Sequence, residues 1–101
     1  MTHAKNKGSS FERWCCQWLR DRGYQAETAR YVNQKLDDAG VDIQTNAPFN
    51  IQCKAVERMS MPVHQLLKSM PQDKPPVVFH KRNNKGTIVS MTLETFEQLI
   101  K

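Results

Sequence analysis

The stretch GVDIQTNAPFNIQCKA, residues 40–55, decides how the chain folds. Its second half alternates, with Ile51, Cys53 and Ala55 apolar around Gln52 and Lys54, the period of a half-buried strand. Its first half alternates as well, with Val41 and Ile43 on either side of Asp42. The turn-like NAPFN, residues 46–50, separates the two halves, so they read as a hairpin with strands over 41–45 and 50–56. Side chains alternate faces along a strand, so Gln52 and Lys54 share one face while Ile51, Cys53 and Ala55 face the core. A hairpin brings Asp42 toward that same polar face.

The flanking sequence supplies the rest of a single domain spanning residues 1–101. In GSSFERWCCQWLRDRG, residues 8–23, the side chains Phe11, Trp14, Cys15, Trp18 and Leu19 recur at helical spacing as one apolar stripe. Ser9 with Glu12 three residues on has the form of a capping box, and Gly23 marks the end of the helix. Residues 24–32 suit a short strand, and QKLDDAG, residues 34–40, reads as a polar loop in which Asp37 and Asp38 shape the turn. SMPVHQLLKSMP, residues 60–71, is a second helix with Val63, Leu66, Leu67 and Met70 on one face and Pro71 closing it. PPVVFHKR and TIVSM flank NNKG as a second hairpin. Thr92 then caps a last helix whose Leu93, Phe96 and Leu99 are expected to face inward. The order α-β-β-β-α-β-β-α predicts an α/β fold, a single mixed sheet flanked by helices on both faces. Residues 1–8, with Lys5 and Lys7, read as a flexible basic tail.

Formal net charge is +5, and its distribution is uneven: residues 1–35 hold seven Lys/Arg against three Asp/Glu, residues 36–101 eight against seven. A basic cluster favours a phosphate-bearing partner, since neutralised phosphates release counterions; a merely solvated basic surface fits the charge equally well. No apolar run approaches the ~20 residues of a membrane span, and the chain opens with no signal peptide, so no membrane partner and a cytoplasmic location are expected. Three cysteines, two of them adjacent (Cys15, Cys16), lack the spacing of a zinc site or a disulfide framework and read as reduced thiols. His3, His64 and His80 share no ligand spacing.

An acid set between apolar neighbours needs a partner, a metal or water, and a lysine on a largely buried strand needs one too. An acid and an amide oxygen beside a lysine can hold a hard cation such as Mg²⁺. Such a cation polarises a phosphoryl oxygen and acidifies a bound water, and a lysine stabilises the negative charge that develops. Phosphodiester hydrolysis uses all of these elements.

The pattern VD…QCK, an Asp closing one short strand and a (D/E/Q)-x-K on the next, resembles the PD-(D/E)xK nuclease superfamily. KGSSFERWCCQWLRDRGY, residues 7–24, is similar to the first helix of archaeal and phage Holliday junction resolvases, and the order of elements along nearly the whole chain is similar to that superfamily's αβββαβ restriction-endonuclease-like core. The resemblance implies a Mg²⁺ site, with Mn²⁺ as a substitute, built by Glu12, Asp42, Gln52 and Lys54, with the Cys53 backbone carbonyl beside the metal. Two departures stand out. Val41 precedes Asp42 where proline is usual, and Gln52 replaces an acid, as in the QxK variant of Mrr-like nucleases.

The resemblance therefore implies a Mg²⁺-dependent endonuclease acting on branched DNA such as a four-way junction, as a homodimer without a small-molecule cofactor, in a bacterial, archaeal or phage-infected cell. Lys5, Lys7, Arg13, Arg30 and Lys35 are the candidate phosphate contacts. A restriction-like or nicking specificity, a non-catalytic nucleic-acid-binding module with a decayed site and an interaction domain keeping only the fold are the alternatives. Each candidate also has a purely structural reading: a helix cap for Glu12, a salt-bridged loop acid for Asp42, surface strand positions for Gln52 and Lys54.

Overall fold

The computed structural model describes residues 3–101, with side chains described from Gly8 onward. Five strands form one mixed sheet in the order β1-β2-β3-β4-β5. The strands are β1 (Ala26–Thr28), β2 (Ile43–Thr45), β3 (Asn50–Ala55), β4 (Pro76–Lys81) and β5 (Ile88–Ser90). Only β3 and β4 run parallel, and the helix α4 (Val63–Ser69) lies between them in sequence, as a parallel pair requires. The other three pairs are antiparallel.

α1 (His3–Arg20) covers one face of the sheet. Phe11, Cys15, Cys16 and Leu19 pack there with Ile43, Ile51, Cys53, Val77 and Phe79. α4 covers the other face, setting Leu66 and Leu67 against Val78. β4 is therefore apolar on both sides, through Val77 and Phe79 toward α1 and Val78 toward α4, whereas β3 is apolar toward α1 through Ile51 and Cys53 and carries Gln52 and Lys54 on its other face. This is the expected α/β arrangement of one mixed sheet flanked by helices.

Several expectations are corrected. α1 begins at His3, so residues 3–8 continue the helix instead of forming a tail; Gly8 is the poorest helix former between Ala4 and Phe11, and one interior glycine costs only ~1 kcal/mol. Ser9 is consequently interior to α1 and not its cap. The buried stripe of α1 is also rotated: Cys16 and Glu12 are buried, while Trp14 and Trp18 are 47% and 36% exposed. Trp14 stacks on Phe11, and Trp18 meets Phe79 edge-on with the Arg22 guanidinium 3.8 Å over its ring.

Of residues 24–32, read as a strand, only β1 (Ala26–Thr28) is one, and Ala29–Val32 forms α2; the segment read as a polar loop forms α3 (Gln34–Asp38), capped by Asn33, whose side chain accepts from the Leu36 N–H. Gly40, at φ 89°, ends α3: its N–H donates to Asp37 and that of Val41 to Leu36. An L-residue rarely adopts that φ, so glycine is what turns the chain into Val41 and Asp42. Thr92 does cap α5 (Leu93–Ile100), accepting from the Thr95 N–H. Yet Leu93, Phe96 and Leu99 are exposed, and Thr95 is the buried residue of that helix. With α4 already on this face of the sheet, α5 turns its apolar side outward.

Asn50 fixes where β3 starts. It is buried, and its side-chain amide donates to the Pro71 carbonyl and the Asp73 carboxylate, both at 2.9 Å, while its N–H donates to Pro75. Leaving those acceptors unmatched costs about 1–3 kcal/mol. Asn50→Ala is expected to lower the urea midpoint correspondingly with no change in m-value; a destabilisation below about 0.5 kcal/mol, less than a typical net hydrogen bond, would show that Asn50 does not anchor the strand.

Candidate active site

The site is built where β2 parts from β3. Ile43 pairs with Ile51, yet the Asp42 N–H also donates to the Ile51 carbonyl at 2.9 Å. Two consecutive residues thus meet Ile51, the arrangement of a β-bulge, which re-aims a side chain. The Asp42 carboxylate turns to accept the Cys53 N–H at 2.7 Å, and the Asp42 carbonyl accepts from the Ala29 N–H at 2.8 Å. Asp42 is therefore gripped through its N–H, its carbonyl and its side chain. The N–H and C=O of a strand residue point the same way, so the Cys53 carbonyl opens on the Asp42 side of β3.

Burial pushes the Asp42 carboxyl up to about 6. The Cys53 N–H opposes that rise, the Glu12 carboxylate adds to it, and Lys54 lowers it. Glu12 and Lys54 thus act electrostatically on Asp42 from different elements. Lys54 forms no hydrogen bond or ion pair with the described residues. On the same face of β3, Gln52 Oε1 is buried without a hydrogen-bond partner. A buried amide oxygen without a donor is costly, and a cation is one thing that satisfies it.

Glu12 is 7% exposed and not alone: Arg30 donates to its Oε2 at 2.9 Å and to Ser9 Oγ at 3.1 Å. The hydrogen bond to Glu12 raises the Arg30 pKa above its ordinary value. The Ala29–Asp42 hydrogen bond delivers Arg30 to this position, since the two residues are consecutive. Sequence reasoning treated Arg30 as a phosphate contact and missed its pairing with Glu12. The signal was available, because a carboxylate on a buried helix face requires a cation.

Among the described residues, no group of three or more His, Cys, Asp or Glu is arranged to hold a metal. The oxygen donors that these elements offer a hard cation are the carboxylates of Asp42 and Glu12, the amide of Gln52 and the carbonyl of Cys53, and Glu12 is already paired with Arg30. A hydrogen bond with Cys15 and burial hold the Cys53 thiol well above the ordinary range, which disfavours the thiolate. Burial likewise pushes Cys16 up to about 11. The three cysteines are free thiols. His80 pairs with Ser90 Oγ at 2.8 Å, and burial lowers its pKa.

Of the proposed phosphate contacts, Arg13 and Lys35 are exposed, Arg30 is engaged as described, and the side chains of Lys5 and Lys7 lie outside the described residues. Counting charge by position along the chain hid a second basic group. Arg58, Lys81, Arg82 and Lys85 come from the half with nearly balanced charge, and the run HKRNNK, residues 80–85, is their sequence signal.

Comparison with known proteins returns no match: no family model, no curated protein and no solved structure corresponds to the chain. Among the described residues, no helix is long and apolar enough to cross a membrane.

The Asp42 environment sets a pH dependence. A carboxyl raised from 3.8 to about 6 by folding contributes stability below pH 4 that is lost as pH rises through 6. The full change corresponds to about 3 kcal/mol. Asp42→Asn keeps an acceptor for Cys53 and removes the charge, so its stability relative to wild type is expected to improve by up to that amount between about pH 4 and about pH 7. Denaturant titrations across that range measure it; a pH-independent difference would contradict the buried-acid assignment.

Proposed function

We propose that the chain is a divalent-metal-dependent endonuclease that hydrolyses DNA phosphodiesters, selective for branched structures in the manner of the Holliday junction resolvases it resembles. The observation that carries this reading is the partnerless, buried Gln52 Oε1 on the strand whose Cys53 N–H holds the Asp42 carboxylate and whose Lys54 has no ion pair among the described residues. Core packing does not require an acceptor there. A cation site does.

Mg²⁺ or Mn²⁺, when bound, supplies Lewis acidity toward a phosphoryl oxygen and acidifies water. Asp42, Gln52 and the Cys53 carbonyl are the residues to hold it, with Glu12 as the second carboxylate. The three main-chain and side-chain hydrogen bonds on Asp42 fix its orientation before substrate arrives, so little reorganisation is needed. The Lys54 ammonium acts on Asp42 without forming an ion pair among the described residues, and so is available to the oxygen on which negative charge grows. Arg30 pairs with Glu12 and so offsets part of the repulsion between the two carboxylates. The resemblance also implies a two-fold dimer, which would present two such sites to symmetric strands.

A second reading, a nucleic-acid-binding module with a decayed site, draws on a specific observation: Arg30 already occupies Glu12, and the described residues hold no three-acid metal group.

Cleavage of labelled four-way junction and linear duplex DNA in Mg²⁺, Mn²⁺ or EDTA separates the two readings. Metal-dependent cutting is expected, and Asp42→Asn and Lys54→Ala should each reduce it by about a hundredfold or more while the fold is retained. Bound but uncut DNA under all metal conditions supports the decayed module, and near-normal cutting by either variant removes the site assignment.

Rate against Mg²⁺ concentration tests the amide directly. Gln52→Glu restores a carboxylate and should shift the curve to lower Mg²⁺, whereas Glu12→Gln should shift it to higher. Superimposable curves for wild type and both variants would exclude Gln52 and Glu12 from the metal.

A further inference from the structure

Five of the eight basic residues of positions 36–101, namely Lys54, Arg58, Lys81, Arg82 and Lys85, lie at or just beyond the C-terminal ends of β3 and β4. Lys54 and Lys81 lie near the ends of the parallel strands β3 and β4, where Lys54 is in register with His80 and Ala55 with Lys81. Arg82 and Lys85 continue into the β4–β5 turn, which Asn84 closes with φ 59°. Arg58 follows β3. The turn and the segment after β3 are tied together, since the Asn83 N–H donates to the Glu57 carboxylate at 2.6 Å. Between them runs a groove of about 640 Å³ whose lining includes Glu57, Lys81, Arg82 and Lys85, and Arg58 lines the adjoining cleft together with Lys54. Lys81 Nζ also lies 6.0 Å from the centre of the Phe11 ring, so this basic surface reaches α1 beside the turn that carries Glu12.

Arg58, Arg82 and Lys85 are exposed, and neither they nor Lys81 forms an ion pair among the described residues. Four cations against one carboxylate, Glu57, leave this surface net positive, which raises the local potential and favours a polyanion. A sugar–phosphate backbone fits better than a lone phosphate, because the cations are spread along a hairpin and the facing segment and do not converge on one point.

We infer that Arg58, Lys81, Arg82 and Lys85 form a phosphate-backbone clamp holding a DNA arm as it leaves the Asp42–Gln52–Lys54 site. The clamp rests on the nuclease reading for its substrate but acts in binding, without the metal. It shifts the main electrostatic contact from the N-terminal third of the chain to the β4–β5 hairpin. Arg13 and Lys35 are the comparison pair, since they are exposed and line neither the groove nor the adjoining cleft.

The test is fluorescence anisotropy of labelled four-way junction DNA in EDTA, with the full chain, from about 50 to about 300 mM salt, the range over which counterion release is strong. The triple variant Arg58→Ala, Arg82→Ala, Lys85→Ala should bind at least about tenfold more weakly at about 0.15 M salt. Its log–log salt slope should fall by about 0.9 for each phosphate that is no longer neutralised, so by up to about 2.7. The charge-conserving triple Arg58→Lys, Arg82→Lys, Lys85→Arg should restore most of the slope, which separates removal of charge from damage to the fold. Arg13→Ala with Lys35→Ala should change the slope less than the triple does. An unchanged slope in the alanine triple overturns the clamp, and if wild type still cuts DNA, the nuclease reading survives. Wild type that neither binds nor cuts DNA overturns both. Binding to phosphatidylserine vesicles that the alanine triple abolishes, with DNA binding unaffected, also overturns the clamp and assigns the patch to a membrane surface.

Discussion

The hydrogen bond from the Cys53 N–H to the Asp42 carboxylate, 2.7 Å long, is the constraint on which the site depends. It holds an acid that burial would otherwise expel, and it does so in the gap where β2 leaves β3. Without the bulge at Asp42 the strands would continue in register, and the N–H and C=O of Cys53 would be spent on a partner strand. The main chain of Asp42 is held as firmly, by Ile51 on one side and Ala29 on the other. The second of these hydrogen bonds starts α2 and so delivers Arg30 to Glu12. One residue thereby links the sheet, the short helix and the buried face of α1.

Burial of charge at this junction runs against stability. The Asp42 carboxyl is raised to about 6, Gln52 Oε1 lacks a donor, and Glu12 is buried on a helix face otherwise filled by Phe11, Cys15, Cys16 and Leu19. Replacing such groups with apolar residues often stabilises a protein. The cation of the proposed reading would satisfy all three. Arg30 offsets one of the charges in the meantime, which explains how Glu12 is tolerated so far from water.

The hairpin at residues 40–55 was legible because alternation survives even in short strands, and so were the α4 crossover and the Thr92 cap. The polar face of β3 was legible for the same reason, with Gln52 and Lys54 opposite Ile51, Cys53 and Ala55. The start of α1 was not, because Ser9 and Glu12 carry a capping-box spacing by coincidence: Glu12 faces Arg30, and Ser9 accepts from that same arginine. Choosing Trp14 and Trp18 for the core overweighted size; Cys16 fits beneath the sheet, and the indoles lie at its margin. α5 misled in the opposite way, since its apolar spacing is regular while its neighbours leave it exposed. Helical periodicity identifies an apolar face but not what covers it.

The most direct test of a cation at this junction is a crystal grown with Mn²⁺ and measured for anomalous scattering. A peak is expected within reach of the Asp42 carboxylate, Gln52 Oε1 and the Cys53 carbonyl, with Glu12 turned from Arg30 toward the ion. A saturated crystal with no peak there, and with Gln52 Oε1 still partnerless and Glu12 still on Arg30, would contradict the metal site.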